Sequence, residues 1–157
     1  MAAVRMKTTV TQRLEATCPT HSRTEIAVRD VTSVIDEPLE RHGTNLGPTP
    51  TETLICALVA CTNVIGHKCA AKHGVDFAAM TIGAEWQLDR RGTQLMEEVD
   101  VPFIKIRLTI DVTTDADEEA IEKVKADLHR FCPLAKVVRA AGTELEEVWT
   151  VHRPTGG

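Results

Sequence analysis

Val, Ile and Thr interleave with polar residues in MKTTVTQRLEA and again in RTEIAVRDVTSVID, the period-two pattern of strands in a sheet with one wet face. TCPTHS between them carries turn chemistry, and HGTNLGPTP, residues 42–50, is a loop rich in glycine and proline. A long apolar segment follows. Thr49 is placed as its N-cap, Pro50 suits the first helical position and Glu52 completes a capping box. Lys72, His73 and Gly74 form the stop signal, two residues suited to the negative end of the helix dipole and a glycine for the left-handed C′ position. The spacing predicts a helix of about 24 residues, roughly 36 Å long. Its first half, LICALVAC, has no polar face, so neighbours are expected on every side, more than one small sheet supplies.

Downstream, DFAAMTIGAEWQLDRR and FIKIRLTIDVTT read as two long strands, with Ile104, Ile106, Leu108 and Ile110 alternating with Lys105, Arg107 and Thr109. GTQLMEEVDVP would join them as an exposed hairpin loop. DADEEAIEKVKADLHRF is an amphipathic helix with Ile121, Val124, Leu128 and Phe131 on one face and a Glu119/Lys123 pair outside. PLAKVVRAAG is a short helix ending at Gly142, and TELEEVWTVHRP closes the chain as a strand with Leu145, Trp149 and Val151 inward. Strands that are mostly sequence neighbours and antiparallel make the class α+β. The open face of the long helix makes an obligate dimer the physical expectation.

Composition narrows the function. The 157 residues are 43% hydrophobic, which suits one domain over 1–157, with loose tails expected at about 1–5 and 153–157. Aromatics make up 3%, tyrosine is absent and the net charge is −5, a poor match to nucleic acid. The longest uninterrupted apolar run, Leu54 to Cys61, is too short to span a bilayer, and MAAVRMKTTV lacks a signal-peptide core. The expectation is a cytoplasmic protein without a membrane partner. Five cysteines, an odd number without dense even spacing, do not suit a secreted disulfide scaffold.

Cys56, Cys61 and Cys69 share the long helix at separations that prevent them from pairing with one another, so a partner for Cys61 would come from another element. Cys132, just before Pro133, is the candidate. A thiol at a helix N-terminus is expected to have its pKa lowered by free N–H groups and the dipole, aided by Arg130 and a protonated His129. Free cysteine is also among the most buried residue types, and inert packing is the alternative for each, above all Cys56 and Cys69.

GPTPTETLICALVACTNV followed at a distance by FCPLAKVVRAAG resembles the paired signatures of the OsmC/Ohr family, the osmotically induced and organic hydroperoxide resistance proteins. The lead-in IDEP and GTNLGPTPTE is similar to the broader OsmC-like branch. The resemblance covers nearly the whole chain. It implies an antiparallel sheet wrapped around a long buried central helix in an intertwined homodimer, with two sites at the interface. It further implies that Cys61 attacks an organic hydroperoxide or hydrogen peroxide, becomes a sulfenic acid and condenses with Cys132 to a disulfide. No cofactor or metal is implied; an external dithiol reductant, in the Ohr branch a lipoyl group, resets the cycle.

The match departs from the peroxidase pattern at the glutamate that ionises the reactive thiol. Thr51 occupies that position and Glu52 follows one residue late, turned by about 100°. The activating arginine falls in the first hairpin, which offers Arg13, Arg23 and Arg29; Arg23, beside the turn holding Cys18 and His21, matches best. Thr51, Thr62 and Asn63 are candidates to line the substrate pocket. Two alternatives stand beside the peroxidase. One is a non-catalytic protein of the same fold binding a small apolar or acyl ligand at the dimer interface. The other, a zinc site from Cys61, His67, Cys69 and His73, ranks below it because these residues wrap around the helix.

Overall fold

The computed structural model describes residues 8–154, and the chain divides into two compact units between Leu54 and Ile55. In the first, β1 (Glu15–Thr17), β2 (Thr24–Val28) and β3 (Val31–Ile35) form an antiparallel sheet in that order. The first strand is shorter than its sequence pattern suggests, since residues 8–14 are exposed and outside any strand. The following loop winds around Asp36, which is fully buried. Its carboxylate accepts from the Thr44 hydroxyl at 2.5 Å and from the N–H groups of Glu37, Thr44 and Leu46 at 2.8–3.2 Å. A Cβ on Gly43 would stand 1.8 Å from the Glu37 carbonyl oxygen, so only glycine fits this return of the chain. A 3-10 turn over Leu39–Arg41 within this loop has no counterpart in the sequence reading.

Helix α1 spans Pro50–Lys72. Its start is the expected capping box: Thr49 Oγ1 accepts from the Glu52 N–H at 3.3 Å, and Glu52 Oε2 accepts from the Thr49 N–H at 2.8 Å. It ends in a Schellman motif, with Gly74 at φ 68°, its N–H on the Ala71 carbonyl and the Val75 N–H on the Ala70 carbonyl.

In the second unit the chain continues through β4 (Ala79–Leu88), β5 (Phe103–Thr113), α2 (Glu118–Phe131), α3 (Pro133–Ala140) and β6 (Glu144–His152). Strands β4 and β5 pair antiparallel, as their alternation implies, but β6 pairs parallel with β5. The α2–α3 connection is the reason, because two helices carry the chain back to the end of the sheet from which β5 started. The described strands therefore form two three-stranded sheets, one in each unit and the second mixed.

The core of this unit joins Leu58 of α1, Ile106, Leu108, Ile110 and Val112 of β5, and Ile121, Val124 and Leu128 of α2, all 2% exposed or less. Three expected inward residues lie outside. Ile104 is turned out where a register shift at Gln87/Leu88 breaks the β4–β5 ladder. Val151 sits at the end of β6, and the exposed Phe131 ring has Lys72 Nζ and Arg130 Cζ 5.4 and 5.2 Å from its centroid.

Among the described residues, helix α1 is not enclosed on every side. Ile55, Leu58, Thr62, Gly66 and Cys69 form one buried stripe, while Leu54, Cys56, Ala57, Ala60 and Val64 are exposed. By length and composition alone it could cross a bilayer, yet its buried stripe is that of a core helix. Of the expected loose tails, residues 1–5 and 155–157 lie outside the described residues. Arg153 is held, donating from Nη1 to the Ala116 carbonyl at 2.6 Å.

Candidate functional site

Cys61 lies in the middle of α1, half-buried and packed against the core. Cys132 serves two helices at once, as the C-cap of α2 and the N-cap of α3. Its N–H donates to the Leu128 carbonyl at 3.0 Å and its carbonyl accepts from the Lys136 N–H at 3.1 Å. Pro133 takes the first position of α3, where no N–H is required. This sharp junction directs the fully buried Cys132 side chain inward, and its Sγ stands 3.5 Å from Cys61 Sγ. Two thiols 71 residues apart in sequence thus face one another. Closure to a bond of about 2.05 Å needs a shift of roughly 1.5 Å.

The electrostatics of Cys132 differ from the expectation of a lowered pKa. Burial pushes its thiol up, the N–H groups of Ala135 and Leu134 at the start of α3 act the other way, and the adjacent Cys61 sulfur adds to the rise. Burial outweighs the helix N-terminus because no charge accompanies the N–H groups into the interior. Cys69 is likewise raised by burial and by the negative charge of Asp127, partly offset by Lys72.

The remaining sequence candidates make contacts of their own. Thr62 is fully buried and donates to the Leu58 carbonyl at 2.9 Å, so it faces the interior and does not line an opening. Asn63 is exposed, and its carbonyl meets His67 Nδ1 at 3.0 Å. In the first unit, Glu52 is engaged in the capping box, Thr51 Oγ1 lies 3.2 Å from Thr49 Oγ1, and Arg23 pairs with Glu25 at 3.2 Å. Arg13, Arg29 and Cys18 are exposed there. The residues considered for zinc are dispersed. His73 meets Asp127 at 2.8 Å and His67 packs edge-on against Phe77, and no group of three or more potential metal ligands occurs among the described residues.

Sequence reasoning missed Asp127. This 7%-exposed carboxylate on α2 accepts from Lys72 Nζ at 2.5 Å and approaches His73 Nε2 at 2.8 Å, tying the end of α1 to α2. An acidic residue in the middle of an otherwise apolar helix stripe was the available signal, but its partners lie 54 and 55 residues away.

A sequence profile described as OsmC-like protein matches residues 43–147. No curated protein matches this chain. Among solved structures, an OsmC like protein from Mycoplasma pneumoniae superposes with a TM-score of 0.73 at 14% identity, over 93% of this chain and 99% of the other. An organic hydroperoxide resistance protein OsmC from Legionella pneumophila gives 0.63 at 16%, over 93% and 99%. An organic hydroperoxide resistance protein from Elizabethkingia anophelis gives 0.63 at 18%, over 95% and 100%. At these identities the likeness is one of fold.

Proposed function

The chain belongs to the OsmC-like protein family, and from that premise we propose that it is a thiol-dependent peroxidase for organic hydroperoxides or hydrogen peroxide. The observation that carries the reading is the 3.5 Å approach of the Cys61 and Cys132 sulfurs. The organic hydroperoxide resistance proteins among its structural neighbours favour the same chemistry.

Cys61 is the more accessible of the two thiols and is assigned the first step. Its thiolate attacks the terminal peroxide oxygen, the O–O bond breaks, and the alcohol leaves with a proton while Cys61 becomes a sulfenic acid. Cys132, once deprotonated, attacks that sulfur; the S–S bond forms, the S–O bond breaks and water departs. An external dithiol returns the two electrons through exchange with the disulfide. Immediate access to Cys132 protects the sulfenic acid from further oxidation.

A homodimer belongs to this reading. The exposed apolar side of α1, with Leu54, Cys56, Ala57, Ala60 and Val64, supports a second copy as its cover. Light scattering of the purified protein tests it.

Consumption of tert-butyl hydroperoxide with dithiothreitol as reductant tests the activity. Cys61→Ser is expected to abolish turnover. Cys132→Ser is expected to accumulate a trappable sulfenic acid without an internal cross-link. Full activity in Cys61→Ser disposes of the mechanism, and a wild-type chain that is inert to peroxide but carries an apolar ligand through purification favours the binding alternative.

A further inference from the structure

The two facing thiols have different surroundings, and these decide which of them donates the hydrogen between them. Cys132 is fully buried at the N-terminal end of α3. No N–H of that first turn closes a full capping bond to its side chain, but those of Ala135 and Leu134 stand near enough to favour negative charge on the sulfur. Their positive ends turn the thiol hydrogen away from the helix. Cys61 Sγ lies 3.5 Å away and is the acceptor. Burial keeps the hydrogen on Cys132, because a charge there would be stranded in the interior, and its thiol is accordingly raised above the ordinary range. Cys61, half-buried on α1, is the thiol that a reagent reaches first. Among the described residues of the second unit, no other side chain donates a hydrogen bond to its sulfur.

We propose that Cys132 has a role before any disulfide forms: its S–H donates to the Cys61 sulfur and stabilises the thiolate that attacks the peroxide. This inference rests on the peroxidase cycle proposed above. Between two neutral thiols such a bond is weak, but toward a thiolate it is charge-assisted. It therefore favours the charged form of Cys61 over the neutral one. The donor then becomes the reactant. When the thiolate attacks, the O–O bond breaks, the alkoxide takes a proton from solvent and leaves as the alcohol, and Cys61 carries S–OH. The Cys132 hydrogen already faces that group. As the Cys132 sulfur bonds to Cys61, the S–O bond breaks and the Cys132 proton departs with the oxygen as water. A serine in place of Cys132 keeps the first role and loses the second.

Cys132→Ser and Cys132→Ala separate the two roles, since both remove the sulfur and only serine keeps a donor. Labelling of Cys61 by iodoacetamide, followed by mass spectrometry at pH 6.5, where an ordinary thiol is mostly protonated, needs no peroxide. A stabilised thiolate is more abundant but less nucleophilic, so about half of the stabilisation reaches the rate. The expected result is labelling of Cys61 about fivefold slower in Cys132→Ala than in Cys132→Ser. Sulfenic acid formation with tert-butyl hydroperoxide should follow the same order. Equal labelling of Cys61 in the two variants overturns the proposal. A serine–alanine difference in labelling without sulfenic acid from peroxide sinks the peroxidase reading alone and leaves Cys132 as the donor. Infrared spectra of the reduced protein give a readout that does not depend on these variants folding. A bonded S–H stretches at lower frequency than a free one, so Cys61→Ala, which removes the acceptor, should raise the frequency of one remaining S–H band. Remaining bands that stay in place would show that Cys132 donates nothing to Cys61.

Discussion

Thr49 and Glu52 satisfy each other at the head of α1, the Glu52 N–H on the Thr49 hydroxyl at 3.3 Å and the Thr49 N–H on the Glu52 carboxylate at 2.8 Å. Glu52 is therefore engaged by the backbone in the first turn, whatever further role it has. Glutamine serves the same position in a capping box. Glu52→Gln is expected to leave the thermal midpoint within about 2 °C of wild type and peroxide turnover intact, whereas Thr49→Ala should cost about 1 kcal/mol. A large loss of turnover in a stably folded Glu52→Gln protein would instead assign the carboxylate a chemical role.

Asp36 organises the loop that precedes α1. The Thr44 hydroxyl, opposed by burial and helped by the N–H groups of Leu46, Glu37 and Thr44, holds its pKa at about 2 against an ordinary 3.8. A depressed carboxylate stabilises the fold above its unfolded value and loses that contribution as pH falls through the folded one. Protection of the amides of residues 37–47 from hydrogen exchange should therefore persist at pH 5 and decline selectively as pH falls from about 4 toward 2. Asp36→Asn should show weakened protection already at pH 7.

The five cysteines should separate by reactivity. Cys18 and Cys56 are exposed, Cys61 is half-buried, and Cys69 and Cys132 are buried with thiols raised above their ordinary range. Alkylation of the native protein by iodoacetamide at pH 7.5, followed by mass spectrometry, is expected to label Cys18 first and Cys69 and Cys132 last. If Cys56 is protected while Cys18 reacts, the α1 face is covered by a second copy, in keeping with the proposed dimer. Early labelling of Cys132 would contradict the burial that raises its thiol.

Local interactions were the legible part of this molecule. The ends of α1, the start of α3 at Pro133 and the alternation of β4 and β5 are written within a few residues of where they act. The pairing of β6 is not, because two intervening helices decide whether it runs with or against β5. Phe131 shows a similar limit: its helical spacing placed it inward, but the ring lies at the surface beside the Lys72 and Arg130 cations. For the thiols, the helix-end position of Cys132 was readable, while its approach to Cys61 came from the family resemblance. The direction of its pKa depended on burial by the fold, which the helix-end argument could not weigh.

Asp127 tests how the α1–α2 crossing is held. Its pKa is lowered, first by the Lys72 hydrogen bond and then by His73, against the opposing effect of burial. Removing the charge while keeping the shape, as Asp127→Asn does, leaves Lys72 without its anionic acceptor and an amide NH2 facing cationic or donor groups. The expected fall in thermal midpoint at pH 7 is roughly 3–10 °C. Because the folded pKa lies below the ordinary 3.8, wild-type stabilisation is complete above that value and fades as pH falls through the folded one. The gap between wild type and variant, followed by circular dichroism melts at pH 7, 5, 4 and 3, should stay wide to about pH 4 and narrow below it. A gap that is constant across this range would show that the substitution acts through packing and not through the carboxylate's charge.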